Sequence, residues 1–258
     1  MEWSIDPVAI SFSGLNIYWY GILFAIGIVC GFLVLKAIYR NENVSTEELN
    51  SLLADSVFGM IIGARLVHCL FYDPLYYWSN PLKVFAIWEG GLASHGGGLG
   101  VLVVALLYAK KNNLSRLWLL DRSTMPAALL GFFVRLANFV NSEILGVPTN
   151  AAWAVTFKQI DMLPRHPVQL YEAFAYLSIF ALLLWVYKSA KVVRQGSLLG
   201  LFLSLTFTVR FILEFFKEKQ ASYTNEFMLT TGQLLSIPFI IIGIALLVWS
   251  LKKSKVEA

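Results

Sequence analysis

Seven long apolar runs dominate the sequence and leave few folds open to it. Each run is close to the roughly 20 residues that a helix needs to cross a bilayer. The alternation of apolar and polar residues that marks barrel strands is absent, which favours helices. We therefore expect an all-α polytopic membrane protein, a seven-transmembrane-helix bundle that forms one membrane domain over residues 1–258. The predicted spans are residues 17–39, 49–72, 92–109, 117–140, 168–187, 197–216 and 229–251.

The composition agrees with a membrane location. Hydrophobic residues make up 58% of the chain and charged residues 14%, whereas soluble domains carry about 25% charged residues. The mean hydropathy is +0.67. Cys30 and Cys69 both lie in apolar runs, where we expect small packing residues. Their spacing predicts neither a disulfide framework nor a zinc site.

The positive charges predict the orientation of the chain. The net charge is +4, but the basic residues lie between the apolar runs and do not indicate a nucleic-acid partner. Cytoplasmic loops of membrane proteins are enriched in Lys and Arg, and the larger group of these residues includes Arg40, Lys110 and Lys188. We therefore expect the N-terminus outside, the C-terminus in the cytoplasm, and loops 73–91 and 142–167 on the outer side.

A polar stripe ends the fourth apolar run. Arg135, Asn138 and Asn141 recur every three residues, and Glu143 follows, so the first three trace one face of a helix. An arginine inside a membrane costs about 2.5–3.5 kcal/mol on insertion scales and indicates a functional site. A guanidinium beside two amides suits a phosphate diester. The alternative is an arginine that pairs with a glutamate in the core of the bundle.

His95 lies in a glycine-rich segment, residues 90–100, at the predicted outer end of the third run. Glycines allow a lipid or a backbone to approach closely, and a histidine exchanges protons near neutral pH. A glycine-rich packing surface between helices, with one polar histidine at its end, explains the pattern equally well. The spacing alone does not separate the two interpretations.

Other polar residues lie near the predicted outer ends of the spans. Arg210 and Glu214 are four residues apart, which predicts an intrahelical pair that leaves one guanidinium edge for a ligand. Arg65 has a similar position in the second run. Tyr20 can supply a hydroxyl group to the same site, although its default interpretation is an interfacial aromatic residue.

The fifth run begins with further polar residues. In the segment RHPVQLYEA, Gln169 and Glu172 are three residues apart and share one face of the predicted helix. His166 lies between an arginine and a proline, which is more typical of a loop than of a catalytic site.

Several motifs occur in a fixed order along the chain. They are YWYG at 18–21, GARL at 63–66, WEGGLASHGG at 88–97, RLANFVNSEILG at 135–146, RHPVQLYEA at 165–173, RFILEF at 210–215 and GQLLSIP at 232–238. Together they resemble those of the bacterial prolipoprotein diacylglyceryl transferase family. The resemblance covers almost the whole chain. It implies transfer of a diacylglyceryl group from phosphatidylglycerol to the lipobox cysteine of a prolipoprotein, with release of glycerol phosphate, as the first step of bacterial lipoprotein maturation.

The resemblance also implies where the protein acts and with what. The location would be the bacterial cytoplasmic (inner) membrane, with the active site toward the outer, periplasmic side. The partners would be phosphatidylglycerol and the signal peptide of a prolipoprotein. We expect no cofactor and no metal, because the few carboxylates have predicted arginine partners.

Roles follow from matching the motifs residue by residue. His95 matches the family's essential histidine and Arg135 its phospholipid-associated arginine. The catalytic candidates are His95, Arg135 and Arg210, and the substrate-binding candidates are Arg135, Asn138, Asn141, Glu143, Gly146, Tyr20, Glu214 and Arg65. The chain departs from the family at Thr206, where a tyrosine is frequent, and at Val147, where an arginine is frequent.

Two other classes of membrane protein also bury arginines. A transporter would show paired broken helices or an internal repeat, and the sequence has neither. An intramembrane serine protease would need Ser94 and His95 to act together, but neighbouring residues on a helix point about 100° apart. The sequence therefore fits a transporter or a serine protease less well than it fits an enzyme of lipid transfer.

Overall fold

The computed structural model describes residues 1–12, 14–190, 192–218 and 229–256, most of which are helical. The helices are α1 Trp19–Asn41, α2 Leu49–Phe71, α3 Pro74–Ser79, α4 Ser94–Lys111, α5 Arg116–Val140, α6 Val168–Ser189, α7 Ser197–Leu213 and α8 Thr231–Val256. Short 3₁₀ turns cover Pro81–Phe85, Ile87–Glu89 and Glu214–Phe216.

Six of these helices are long and apolar enough to cross a membrane within the described residues. They are Trp19–Asn41, Leu49–Phe71, Arg116–Val140, Val168–Ser189, Ser197–Phe216 and Thr231–Lys252. The predicted run 92–109 forms α4, which has 18 residues and is about 27 Å long at 1.5 Å per residue. The helical class is confirmed, whereas the count of seven spans stays a prediction.

Short strands accompany the helices, and the sequence did not predict them. The first span was expected from residue 17, but a strand occupies Leu15–Tyr18 and α1 starts at Trp19. The strands are β1 Glu2–Trp3, β2 Val8–Phe12, β3 Leu15–Tyr18, β4 Val155–Phe157 and β5 Pro164–Arg165. β2 and β3 form an antiparallel pair, while β4 lies between β1, its parallel neighbour, and β5, its antiparallel neighbour.

Contacts group the chain into two compact units, residues 1–35 with 121–258 and residues 36–120. In the first unit, an aromatic cluster attaches the three-stranded sheet to the end of α5. The ring centroids of Trp3 and Phe139 are 4.4 Å apart, and those of Phe139 and Phe157 are 5.6 Å apart. Phe157 is fully buried, so the N-terminal strand and the segment after α5 share one core.

A buried carboxylate fixes the start of α7 in the same unit. Asp121 accepts hydrogen bonds from the backbone N–H groups of Gly196 (2.6 Å) and Leu199 (2.8 Å). Gly196 has φ +85°, a conformation that favours glycine. A carboxylate at a helix N-terminus satisfies free N–H groups and complements the helix dipole, so Asp121 ties α5 to α7.

In the second unit, α2 and α4 pack through facing glycines. A Cβ atom on Gly63 would collide with the carbonyl oxygen of Gly96, and one on Gly100 with that of Gly59. Such close backbone contact is how small residues join membrane helices. The packing interpretation of the glycine-rich segment is therefore confirmed for Gly96 and Gly100. His95, which directly precedes Gly96, is exposed.

Candidate active site

Arg135 lies on α5 with its side chain 12% exposed, and polar neighbours fix its guanidinium. Nε is 3.0 Å from Oε2 of Glu172, which is fully buried on α6. Nη1 donates to Oδ1 of Asn138 at 3.2 Å. Tyr176 on α6 also hydrogen-bonds with the Arg135 side chain. The arginine–glutamate pairing weighed as an alternative is thus formed, yet a guanidinium has five N–H donors, more than these three contacts use.

Glu143 binds both asparagines of the stripe. Its carboxylate accepts from Nδ2 of Asn138 at 2.9 Å and from Nδ2 of Asn141 at 3.2 Å. Gln169 Nε2 donates to the Glu143 carbonyl at 2.5 Å. The structure therefore brings together Arg135, Asn138, Asn141 and Glu143, as their spacing predicted.

A strained turn makes this arrangement possible. α5 ends at Val140, and Ser142 (φ 56°) and Ile144 (φ 54°) follow in the left-handed region. Such residues other than glycine cost about 1–3 kcal/mol each and concentrate at functional sites. The turn brings Glu143 back against the last turn of the helix, where its backbone N–H donates to the Asn138 carbonyl at 2.9 Å.

Two buried amide oxygens lie beside this cluster. Asn141 Oδ1 and Gln169 Oε1 have no hydrogen-bond partner among the described residues. Buried acceptors normally have a partner, so both oxygens are suited to accept a hydrogen bond from a hydroxyl-bearing ligand.

Gly146 occupies a crowded crossing of three segments. A Cβ atom there would collide with the His166 carbonyl oxygen and would lie 2.7 Å from a methyl of Val168. Gly146 also bridges to Lys217, and the neighbouring Val147 N–H donates to the Phe216 carbonyl at 2.9 Å. The predicted substrate contact of Gly146 stays a prediction, but its lack of a side chain is required by this packing.

Lys217 completes the charged cluster and was not predicted as a site residue. Its Nζ is 2.9 Å from Oε1 of Glu172 and 3.3 Å from Oε2 of Glu214, so Glu172 holds Arg135 and Lys217 on its two oxygens. Gln169 and Glu172 are both buried on α6, in agreement with the shared helix face that their spacing predicted. A carboxylate in an apolar helix was the signal that a buried cationic partner exists.

The predicted pair between Arg210 and Glu214 is wrong for the described residues. α7 ends one residue before Glu214, which lies in a tighter 3₁₀ turn, where the α-helical i,i+4 geometry no longer holds. Its carboxylate instead contacts Lys217 and accepts from Thr230 Oγ1 at 3.2 Å. Arg210 is half-buried in the last turn of α7, one turn after the buried Thr206.

Tyr20 belongs to the same unit as the stripe and lies in the first turn of α1. Its hydroxyl lies within electrostatic range of both Glu143 and Arg135. The hydroxyl group that Tyr20 was expected to supply to the site stays a prediction.

His95 and Arg65 belong to the second unit. His95 is exposed in the first turn of α4. Arg65 is buried, and its guanidinium binds backbone carbonyls of the loop between α2 and α4. The substrate contact predicted for Arg65 stays a prediction, and the hydrogen bonds show that the side chain also has a structural task.

The segment after α5 has its own charged anchor. Arg165 is 5% exposed, and its Nη2 contacts Asp161 Oδ2 at 2.5 Å. Its Nη1 donates to the Gly146 carbonyl at 3.0 Å and lies 3.2 Å from Glu218 Oε2. The hydrogen bond from Arg165 lowers the pKa of Asp161 below its ordinary value. This anchor holds residues 146–165 against the end of α7.

Comparisons with known proteins agree with this arrangement of motifs. The sequence model described as "Prolipoprotein diacylglyceryl transferase" matches residues 7–249. The chain belongs to the prolipoprotein diacylglyceryl transferase family. The resemblance drawn from the motifs is thereby confirmed, and all of the polar residues described above fall inside the matched range.

Full-length relatives support membership in the diacylglyceryl transferase family. The chain is 48% identical to the phosphatidylglycerol–prolipoprotein diacylglyceryl transferase of Tolumonas auensis, over 97% of this chain and 98% of the relative. It is 43% identical to that of Chloroherpeton thalassium, over 99% and 96% of the two chains. It is 40% identical to that of Bacteroides fragilis, over 100% and 98%.

Proposed function

We propose that this chain transfers the diacylglyceryl group of phosphatidylglycerol to the lipobox cysteine of a prolipoprotein. Membership in the family, over residues 7–249, is the observation that carries the proposal. The reaction is the first step of lipoprotein maturation, and the enzyme is a transferase embedded in a membrane. The inner membrane of a bacterium is the location that fits a phospholipid and an exported preprotein as substrates.

Strand pairing supports seven crossings. β1 pairs with β4, so the N-terminal segment and the segment after α5 lie on the same side of the membrane. An even number of crossings must separate them. Three crossings come from α1, α2 and α5. The structure describes every residue from 19 to 154, and α4 is the remaining long helix in that range. We therefore propose α4 as a fourth crossing in this part of the chain.

A second pairing is consistent with the same topology. Val147 binds Phe216 and Glu218 binds Leu145 through their backbones, so the end of α7 lies beside the segment after α5. α6 and α7 separate the two segments and supply two crossings. α8 adds the last crossing, which gives the single seven-span domain predicted from the sequence. The distribution of Lys and Arg then favours an outer N-terminus, a cytoplasmic C-terminus and an outer active site.

The polar cluster of the first unit suits the phosphatidylglycerol headgroup. Arg135 offers charge-assisted hydrogen bonds to the phosphate. The unpartnered oxygens of Asn141 and Gln169 are placed to accept from the hydroxyl groups of the headgroup glycerol. Glu172 keeps the guanidinium oriented and Lys217 adds a second cation.

The transfer makes one bond and breaks one bond. The cysteine sulfur attacks the glyceryl carbon that carries the phosphate, a C–S bond forms, and the C–O bond to phosphate breaks. Glycerol phosphate leaves with the electron pair on its oxygen, and Arg135 and Arg210 stabilise this negative charge in a low-dielectric site. A free thiol has a pKa of about 8.5. We assign His95 as the base that accepts the thiol proton.

The test is a reconstituted reaction. The purified protein is incubated in phosphatidylglycerol vesicles with a lipobox peptide, and the peptide is followed by mass. A diacylglyceryl mass gain that disappears when the peptide cysteine is replaced by serine supports the proposal. An unmodified peptide under conditions in which the protein is folded contradicts it.

A further inference from the structure

Arg65 is 4% exposed on α2, and its guanidinium binds one loop. Nε donates to the Val84 carbonyl at 2.9 Å and Nη2 to the Lys83 carbonyl at 2.5 Å. Nη1 donates to the carbonyls of Gly90 (2.5 Å) and Gly91 (3.2 Å). One side chain thus fixes two separate points of the loop that leads from α2 to α4.

The charge of Arg65 is balanced without a carboxylate among the described residues. The guanidinium carbon lies 5.1 Å from the ring centre of Tyr77, a cation–π distance. Carbonyl dipoles and this ring are its observed partners. Hydrogen bonds from an ionised donor are stronger than neutral ones, so these contacts hold the loop firmly.

The same stretch of α2 also fixes the start of α4. The carbonyl of Ala64 accepts the N–H of Ala93 at 3.0 Å, and Gly63 packs directly on Gly96. Three consecutive residues, 63–65, therefore contact the chain before His95, at residues 90–93, and directly after it, at Gly96. A histidine held in this way has a defined place at the outer end of α4.

We propose that Arg65 is a positioning residue for His95. By binding the carbonyls of residues 83, 84, 90 and 91, it fixes the loop that leads into α4 and so the position of His95 in the first turn of that helix. This inference rests on the proposed role of His95 as the base. It also differs from the substrate contact predicted for Arg65, because the guanidinium acts through the loop and not on the phospholipid.

Gly91 provides an independent way to disturb the same contact. It has φ +71°, and a Cβ atom there would lie 2.6 Å from Nε2 of His68 and 2.8 Å from Nη1 of Arg65. Gly91→Ala should therefore strain this turn and displace the His68 ring and the Arg65 guanidinium, while the arginine remains present. Gly98→Ala is the matched control, because its Cβ would meet no atom within 4 Å.

The first test is a double-mutant cycle in phosphatidylglycerol vesicles. Arg65→Gln should lower kcat about 10- to 100-fold, because small displacements of a reacting group have effects of this size. The KM for phosphatidylglycerol should not change. In the His95→Gln background, Arg65→Gln should cause no further loss, since residues that act through one another are not additive. Multiplicative losses, or a raised KM with unchanged kcat, would overturn the proposal.

The second test is hydrogen exchange over residues 83–95. Arg65→Gln and Gly91→Ala should both increase exchange there and lower kcat, whereas Gly98→Ala and the exposed Arg116→Gln should do neither. If Arg65→Gln fails to fold, Gly91→Ala carries the test. A normal rate for Gly91→Ala with increased exchange overturns the positioning role. A normal rate for His95→Gln overturns the proposed base and the positioning role together.

Discussion

Glu172 is a buried carboxylate shared by two cations. Its side chain is fully buried, with Arg135 Nε 3.0 Å from one oxygen and Lys217 Nζ 2.9 Å from the other. A buried charge is tolerated when its partners remain and is costly once one partner is removed. At the scale of single residues, Glu172 therefore determines where both cations of the proposed headgroup site lie.

Glu172→Gln should destabilise the protein more than an exposed change of the same kind. Loss of one member of a buried ion pair costs about 3–5 kcal/mol, since two cations lose their common carboxylate. Thermal unfolding in detergent measures the effect. The matched control is Glu48→Gln, whose partner Lys111 is 3.5 Å away with both side chains more than half exposed, and it should cost less than about 1 kcal/mol. Equal shifts for the two variants would contradict the buried bridge.

Between α2 and α4, the facing glycines set the distance at which the two helices pack. Gly59 and Gly63 face Gly100 and Gly96, with backbone contact along the crossing. The same device recurs between α7 and α8, where Gly200 faces Gly243. At the scale of elements, these glycines allow the backbones of neighbouring helices to pack in direct contact.

Gly100→Ala should separate α2 from α4. The added methyl would collide with the Gly59 carbonyl, and overpacking of this kind costs about 1–3 kcal/mol. A lower Tm is the expected result. Gly98→Ala adds the same methyl to the same helix in open space, so its Tm should stay close to that of the parent protein. A loss as large for Gly98→Ala would show that helix glycine content, and not the crossing, is what matters.

The segment that carries β4 and β5 should loosen in acid. The hydrogen bond from Arg165 lowers the pKa of Asp161, so the contact adds stability above the unfolded pKa of about 3.9. That stability is lost as pH falls through the lower folded pKa. Protection from hydrogen exchange over residues 155–165, relative to the intrinsic exchange rate at each pH, should therefore fall below about pH 4.

Asp161→Asn provides the check on this pH dependence. The variant should show low protection over residues 155–165 already at pH 6, and this protection should change little on acidification. Asp6→Asn alters a carboxylate in the N-terminal segment that accepts from the Val8 N–H, and it should keep the parent's profile over 155–165. An unchanged profile for Asp161→Asn would rule out the Asp161–Arg165 contact as the cause.

The helices were predictable because a run of about 20 apolar residues leaves little choice in a bilayer. The stripe from Arg135 to Glu143 was predictable because it is local in sequence. The strands were not, since β1 has two residues and its partner is more than 150 positions away. The Lys217–Glu172 contact depends on the packing of α6 against the end of α7. The Arg210–Glu214 prediction failed because the sequence did not reveal the 3₁₀ turn.

At the scale of the whole molecule, the topology depends on whether α4 crosses the membrane, as we propose. With α4 as a span, β1 and β4 meet on one side of the membrane, as their pairing requires. Without it, the segment after α5 would lie on the side opposite to the N-terminus. The number of crossings is therefore linked to the three-stranded sheet.

Cysteine labelling on either side of α4 tests this topology. Cys30 and Cys69 are first replaced by serine, and single cysteines are placed at Ser79, before α4, or at Lys111, at its end. An impermeant thiol reagent added from outside should label Ser79→Cys in intact cells. It should label Lys111→Cys only after the membrane is permeabilised. Labelling of both positions from the same side would contradict the crossing.

The most direct test of the proposed site is the affinity of the purified protein for phosphatidylglycerol. Arg135→Gln should weaken binding at least about tenfold, because a charge-assisted contact to phosphate contributes on the order of 1.5–3 kcal/mol. Arg116→Gln, an exposed arginine at the start of α5, should bind as the parent protein does. Unchanged affinity in Arg135→Gln, with the protein folded, would contradict the assignment of this cluster as the phospholipid site.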